Sequence, residues 1–400
     1  MSGTETETLW TTRFESSLMR TMGLPLRFLV RGEGSYVWDE QGTQYLDFLA
    51  GIAVNSLGHA HPVFVEAVTK QASTLAHVSN YFSTPPQLEL AERLIRLTGA
   101  GEGGRAYFCN SGAEANEAAF KLARLNSSPS RRRIVALTNG FHGRTMGALA
   151  LTGKPAMREP FEPMPGGVEH IDTTIAALEA TIDDSVAALI LEPIKGEAGV
   201  IGLPEGFLVR ARELTEQHGV LLIVDEIQTG VGRTGEWFSY MHDGVRPDAV
   251  TVAKGMGGGF PIGSLVTFGW ASDLFTRGQH GSTFGGNPLA TATANAVLGE
   301  IERAGLVQNA AVRGEQLREV IRSFDSPLVH ELRGQGLLIG VGLTEPVAGA
   351  IVDAALANGL IVNAANDSTL RIAPPLIIGD DEVREFGLRM RAAFDTVSAT

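Results

Sequence analysis

Between Tyr107 and Val266 short apolar runs alternate with stretches of helical period, and no other feature of the chain restricts its fold so strongly. Strands are expected at Arg105 to Cys109, Ile134 to Thr138, Val186 to Leu191, Val220 to Val224, Ala249 to Val252 and Ser264 to Phe268. Helices are expected between several of them, at Ala113 to Leu125, Arg144 to Leu151, Ile175 to Thr181 and Gly206 to His218. A sheet with one wet face shows alternating polar residues, and runs such as Val220-Leu221-Leu222-Ile223-Val224 do not. The pattern therefore calls for an α/β architecture: a mostly parallel sheet covered by helices on both faces. Ligands of such sheets gather where the strands end at their carboxyl side.

The flanks read differently. From Phe14 to about Gly58 a short helix-like piece is followed by hairpin-like strands at Tyr36 to Asp39 and Gln44 to Phe48. After Asn287-Pro288 an alanine-rich helix runs to about Arg303. Beyond it the chain mixes helices at Glu315 to Phe324, Val347 to Asn358 and Asp380 to Val397 with short strands at 328–333, 337–342, 361–363 and 370–373. Four hundred residues exceed what one core usually serves. The expected division is an N-terminal arm over 1–58 that shares in a small domain, a large domain over 59–290, and a C-terminal α+β domain over 291–400.

Charge and special residues narrow the function. Acidic residues outnumber basic ones by 45 to 32, the net charge is −13, and the only concentrated basic run is Arg131-Arg132-Arg133. Nucleic-acid binding needs a basic stripe, so it is not expected. The single cysteine, Cys109, excludes an internal disulfide and offers no metal cluster; in its apolar setting it reads as a small buried thiol rather than a nucleophile. Met1 to Thr12 is polar, without a basic start or an apolar core, and no stretch is long and apolar enough to span a bilayer. A soluble, cytoplasmic protein is expected.

Chemistry concentrates at strand ends. Lys254 follows the run Val250-Thr251-Val252-Ala253 and precedes Gly255-Met256-Gly257-Gly258-Gly259. It is either an ordinary lysine capping a strand or a half-desolvated amine, which loses its proton more readily and then forms a Schiff base with a carbonyl or with pyridoxal phosphate. Asp225 closes the strand from Val220. A carboxylate there either caps the next loop or meets a cation, for which a protonated pyridine nitrogen would serve. Gln228 stands three residues on, within reach of a ring oxygen. Asn110-Ser111-Gly112-Ala113 is an ordinary N-cap or a phosphate cradle at a helix start. Phe141 belongs to the core or stacks on a planar cofactor, and Arg144 is a surface charge or a grip for a carboxylate.

Taken together, these stretches resemble the pyridoxal-phosphate-dependent aminotransferases of class III, of fold type I, over nearly the whole chain from Gly32 to about Gly379. The motifs that carry the resemblance are Phe108 to Ala118, Phe141-His142-Gly143-Arg144-Thr145, Leu191-Glu192-Pro193, Asp225 to Gly235, the Lys254 stretch, and His280 to Pro288. The resemblance implies a large domain that binds pyridoxal 5′-phosphate, with a smaller α+β domain built from the C-terminal part and the N-terminal segment. It implies that Lys254 forms the Schiff base, Asp225 pairs with the pyridine nitrogen, Gln228 meets the ring oxygen, and Phe141 stacks on the ring. It gives the phosphate to Ser111, Gly112 and Ala113, together with Thr283 reaching in from a neighbouring subunit, and hence a homodimer with its active site at the interface. Arg144, Ser282 and Arg371 become substrate-binding candidates. Glu192 matches a glutamate that holds an arginine in one half-reaction and releases it in the other, or is a structural carboxylate before Pro193.

Within the family the motifs fit best the branch that acts on N2-acetyl-L-ornithine with 2-oxoglutarate, forming L-glutamate in arginine biosynthesis. Lys195, where relatives often carry Gln or Met, departs from the pattern. Ornithine, succinylornithine, N-succinyldiaminopimelate and 4-aminobutyrate are the rival donors, and an aminomutase on the same fold is a further reading. A dinucleotide-binding oxidoreductase would need a glycine fingerprint that Gly257-Gly258-Gly259-Phe260-Pro261 lacks. A non-catalytic binding protein would have no use for both Lys254 and Asp225.

Overall fold

A computed structural model describes residues 3–398; the outermost residues of the expected N-terminal arm and C-terminal domain lie outside that range. A helix at Gly3–Ser17 opens the chain, earlier than the piece expected from Phe14 onward. Three antiparallel strands follow, β1 (Leu29–Glu33), β2 (Tyr36–Asp39) and β3 (Gln44–Asp47). Leu360–Ile361, from the C-terminal part, pairs with β3 in parallel. The Phe48 and Phe386 rings stack 4.8 Å apart and fasten the same two regions. Such a pair contributes about 1 kcal/mol beyond the area it buries.

The large sheet holds seven strands: β4 (Arg105–Cys109), β5 (Arg133–Leu137), β6 (Val168–Ile171), β7 (Val186–Leu191), β8 (Leu221–Asp225), β9 (Ala249–Val252) and β10 (Gly263–Thr267). Their order is β4-β10-β9-β8-β7-β5-β6. All pairings are parallel except those of β10, which runs against both its neighbours. Every residue of β7, β8, β9 and β10 is buried. Helices on both faces cause that, among them α1 (Gly112–Leu125) and α2 (Phe207–His218). The strand missing from the sequence reading is β6, at the sheet edge; with one neighbour and the polar pair Glu169-His170 it lacks an apolar run.

α3 (Pro288–Arg303) leads out of the large sheet. Its N-cap Asn287 accepts from the Ala290 N–H at 2.9 Å, and Pro288 sits at the first helical position, where its missing N–H costs nothing. The next helix spans Leu306–Arg322 and starts well before the expected Glu315. A second four-stranded sheet has the order β11-β12-β14-β13, with β11 (Val329–Gln335), β12 (Leu338–Leu343), β13 (Asn363–Asn366) and β14 (Thr369–Ile372). Among the described residues no helix is long and apolar enough to cross a membrane.

Candidate active site

Register decides which strand ends meet. β8 and β9 run parallel with Asp225 beside Thr251, so Lys254 emerges just past the strand end next to Asp225. On the other side Val224 pairs with Leu191, which brings Glu192 to the same edge. The loops after β4 and β5 deliver Ser111 and Phe141. All of these line one cavity of about 450 Å3. A groove of about 560 Å3 opens at the opposite end of the sheet, around Arg212, Arg246 and Trp270, and holds none of the predicted residues.

Lys254 begins a tight 3-10 turn and has a φ of 41°, a left-handed conformation that costs a side-chain-bearing residue roughly 1 to 2 kcal/mol. The N-terminal segment holds the turn in place: the Ser56 hydroxyl donates to the Gly255 carbonyl at 2.9 Å. Among the described residues the Lys254 amine makes no hydrogen bond. Burial lowers its pKa below that of an ordinary lysine, the Arg371 charge lowers it further, and Glu197 offsets part of this. The result is an amine biased toward its neutral, nucleophilic form.

Asp225 is 4 % exposed and fully engaged on one oxygen. Its Oδ2 accepts from Asn116 Nδ2 and pairs with His142 Nδ1, both at 2.7 Å, while Oδ1 accepts only from the Ile227 N–H at 3.0 Å. Oδ1 thus keeps acceptor capacity toward the cavity.

The phosphate-cradle expectation meets a concrete geometry. Ser111 caps α1, its hydroxyl accepting from the Glu114 N–H at 3.2 Å. Among the described residues the Gly112 and Ala113 N–H groups donate to no protein acceptor. A Cβ on Gly112 would stand 2.9 Å from two carbons of Ile227, so only glycine lets the two loops close here. An anion cradle, a carboxylate with spare capacity and a free amine around one cavity fit the phosphate, the pyridinium and the aldehyde of pyridoxal phosphate.

Among the described residues Glu192 forms no ion pair with an arginine, and Arg371, the second carboxylate-binding candidate, is ion-paired with Glu197. Arg371 is 1 % exposed and also contacts Asn363 Oδ1 at 3.1 Å and Gln228 Oε1 at 3.4 Å. Glu192 lines the same cavity and accepts from the Phe141 N–H at 2.8 Å. Burial pushes its carboxyl up to about 7, with the charge of Asp225 adding and that of His142 opposing. Burial would also raise the Glu197 carboxyl, but Arg371 outweighs it and holds it below the ordinary glutamate range. The sequence reading missed Glu197 because it sits inside a loop with no periodicity; its one signal is an acid spaced after Pro193 near the same strand end.

The rim is looser. Arg144 is exposed, with its guanidinium 5.9 Å from the centre of the Phe141 ring. Ser282 accepts from Asn110 Nδ2 at 3.1 Å, one step outside the cavity. Thr283 is exposed and lines a separate crevice with Phe82 and Asn287. Cys109 is buried and its thiol is pushed up to about 12, chiefly by burial, which leaves it inert. Lys195 is 5 % exposed and donates to Thr173 Oγ1 at 2.7 Å and to the Thr138 carbonyl at 3.3 Å.

Comparison with known proteins identifies the family. The family described as Aminotransferase class-III matches residues 19–394. The acetylornithine aminotransferase of Mycolicibacterium smegmatis is 51 % identical over 387 residues, covering 96 % of this chain and 98 % of that protein. Among solved structures, the N-acetylornithine aminotransferase of Stenotrophomonas maltophilia superposes with a TM-score of 0.84 at 37 % identity, covering 97 % of this chain and 99 % of that one. An ornithine aminotransferase from Toxoplasma gondii, described with partial occupancy of pyridoxal phosphate at its active site, gives 0.92 at 32 % identity over 100 % of this chain and 99 % of that one.

Proposed function

Because the chain belongs to the class-III aminotransferase family, whose cofactor is pyridoxal 5′-phosphate, we propose that it exchanges an amino group between N2-acetyl-L-ornithine and 2-oxoglutarate. The products are N-acetyl-L-glutamate 5-semialdehyde and L-glutamate, formed in two half-reactions. One observation carries this reading: Lys254 and Asp225 leave adjoining parallel strands and open into one cavity beside an anion cradle.

When bound, the pyridoxal ring supplies the electron sink that lets a C–H bond next to nitrogen break. Lys254, Asp225, Gln228, Phe141, Ser111, Gly112 and Ala113 would hold it. Asp225 would offer its free Oδ1 to the ring nitrogen and so favour its positive form. The Lys254 amine, without a hydrogen bond among the described residues, would be the nucleophile toward a carbonyl carbon and the base that takes the proton from the δ-carbon of the donor. Arg144 at the rim would grip the donor's α-carboxylate and so aim the distant amine inward.

Arg371 separates the half-reactions. Paired with Glu197 it offers no free cation, and the neutral chain of the acetylornithine tail passes it. For 2-oxoglutarate, Glu197 must release Arg371 so that the guanidinium can take a carboxylate. The gating role foreseen for Glu192 thus belongs to Glu197, and Glu192 stays a wall residue that holds Phe141.

The subunit arrangement extends the proposal. Thr283, Phe82 at 67 % exposure and Tyr81 at 93 % exposure stand together on an open face. A homodimer across that face would cover the aromatic rings and bring Thr283 and Ser282 to the partner's cavity. The chain would divide into an arm at 1–58, a cofactor domain at 59–290 and a small domain at 291–400.

The test is a panel of N2-acetyl-L-ornithine, ornithine, N-succinyldiaminopimelate and 4-aminobutyrate, each with 2-oxoglutarate, followed as glutamate formed. Acetylornithine should give the highest kcat/KM. A preference for ornithine or 4-aminobutyrate by tenfold or more would overturn the substrate and leave the family chemistry standing.

A further inference from the structure

The turn that carries Glu197 is fastened from outside by three side chains, none of which enters the chemistry described so far. Ile194–Lys195 and Ile201–Gly202 pair as a small antiparallel hairpin, closed through a 3-10 turn at Gly196–Ala198. Gly199 and Val200 then take left-handed φ values of 113° and 56°. Inside the turn the Gly196 carbonyl accepts from the Gly199 and Val200 N–H groups, both at 3.3 Å.

Each of the next three carbonyls is met by a side chain from elsewhere in the chain. Lys154 Nζ donates to the Glu197 carbonyl at 2.6 Å, Asn366 Nδ2 to that of Ala198 at 3.1 Å, and Arg333 Nε to that of Gly199 at 3.2 Å. Lys154 stands between the short helices Met146–Leu151 and Pro155–Arg158 of the large domain. Arg333 lies on β11 and Asn366 on β13. Arg371 belongs to the same sheet, on β14, and Arg333 Nη2 also donates to Thr369 Oγ1 of β14 at 2.8 Å. The backbone behind the acid and the arginine in front of it are therefore tied to one body. At its far end Val200 is buried in a cluster with Leu338 and Ala373. At its near end a Cβ on Gly196 would stand 1.7 Å from Gln228 Oε1, so the turn is seated directly against Gln228.

We propose that Lys154, Asn366 and Arg333 are positioning residues of the acid gate: they hold the backbone from Gly196 to Val200 at a fixed distance from Arg371, so that the gate opens by rotation of the Glu197 side chain alone. The inference rests on the reading that Glu197 releases Arg371 for 2-oxoglutarate, and deepens it.

The direction of the effect follows from entropy. A carboxylate on a loose turn must be ordered each time it pairs, whereas a turn fixed beforehand has already lost that freedom. The clamp thus stabilises the closed, paired gate. With the clamp weakened, a dicarboxylate competes more easily for Arg371, while a donor with a neutral tail meets an uncovered guanidinium. Two ligand classes then respond in opposite directions, which general damage to the fold does not produce.

The experiment follows two ligands on the full-length protein loaded with pyridoxal phosphate. Glutarate, a dicarboxylate with no carbonyl to react, is titrated by calorimetry and reads how readily Arg371 is released. N2-acetyl-L-ornithine is followed through the cofactor's absorbance in the first half-reaction and reads the closed gate. Lys154→Met and Asn366→Ala each remove one donor, Lys154→Arg keeps one, and Glu197→Gln removes the charge pair outright. Glutarate should bind roughly 3- to 10-fold more tightly to Lys154→Met and to Asn366→Ala, the weight of one hydrogen bond. Half-saturating acetylornithine should rise by a similar factor, and Lys154→Arg should stay near wild type for both ligands. Glu197→Gln should tighten glutarate further still. Unchanged glutarate affinity in both Lys154→Met and Asn366→Ala, or weaker binding of both ligands alike, would overturn the clamp while Glu197→Gln still tightens glutarate. A Glu197→Gln protein that binds glutarate no better than wild type would instead remove the gate itself, and the clamp with it. The Asn366 side chain is exposed, so its variant decides the question should Lys154→Met fail to fold.

Discussion

Two lysines stand past the ends of β7 and β9, the strands that flank β8, one buried (Lys195) and one half-buried (Lys254), and they have opposite fates. Lys195 follows β7; its amine donates to Thr173 and to the Thr138 carbonyl, and it lines no part of the cavity. Lys254 follows β9; its amine has no hydrogen bond among the described residues, and the residue lines the cavity. Burial lowers the pKa of both below the ordinary lysine value. Desolvation therefore does not by itself make a nucleophile. What separates them is free valence: a strained left-handed turn lifts Lys254 off every acceptor, whereas ordinary loop backbone satisfies Lys195.

The strongest way to break this contrast is to remove each amine. Lys254→Ala should lower kcat about 10^4-fold or more, since it deletes both nucleophile and base. Steady-state glutamate production measures it; a residual rate above a hundredth of wild type would mean that another group serves. Next, Asp225→Ala should weaken cofactor retention about 10^2- to 10^4-fold, the roughly 3 to 5 kcal/mol of a buried charge left unpaired. Equilibrium dialysis of pyridoxal phosphate reads that loss.

A third buried group sharpens the point that burial moves a pKa without creating chemistry. Glu226, next to Asp225 and fully buried, accepts from Thr229 Oγ1 at 2.5 Å and from the Tyr240 N–H at 2.9 Å, and burial pushes its carboxyl up from 4.5 to about 7. Its folded-state pKa lies above its unfolded one, so the protonated form is favoured on folding. The associated stability is present below the unfolded value and is lost as pH rises toward 7. Glu226→Gln should therefore gain roughly 2 to 4 kcal/mol over wild type at pH 8 relative to their difference at pH 4. Urea unfolding at the two pH values checks it, and a pH-independent difference would refute it.

Smaller effects belong to the rim and to the second lysine. Arg144→Lys should raise KM for acetylornithine about tenfold with kcat little changed, because a point charge replaces a bidentate fork. Lys195→Gln should leave kcat/KM within about threefold and change stability by roughly 1 kcal/mol, the amide replacing the amine's donors. A large catalytic loss in Lys195→Gln would erase the contrast between the two lysines.

Much of this was legible in the chain. Apolar runs without alternation marked β7, β8 and β9 because helices bury both their faces, and the acid and amine ending two of them stood out for that reason. The edge strand β6 was not legible, since one covered side leaves room for Glu169 and His170. Neither was the left-handed turn at Ala50–Ala53, where φ stays positive through Ala53 and the Asp47 carboxylate holds the Leu49 and Ala50 N–H groups. Local bonds from that one carboxylate accompany it, and only Gly51 hints at it. The pairing of Glu197 with Arg371 was not legible, since the acid lies in a loop after β7 and the arginine on β14, and only the fold brings them together. His142 stood inside a motif between Phe141 and Arg144, but its partner Asp225 lies on another strand.

Borohydride reduction of the protein with pyridoxal phosphate, followed by peptide mass mapping, tests the centre of this account directly. The phosphopyridoxyl mass should fall on the peptide containing Lys254 and on no other, and acetylornithine added beforehand should diminish it. A label on Lys195, or an unlabelled Lys254 in protein that forms glutamate, would contradict it.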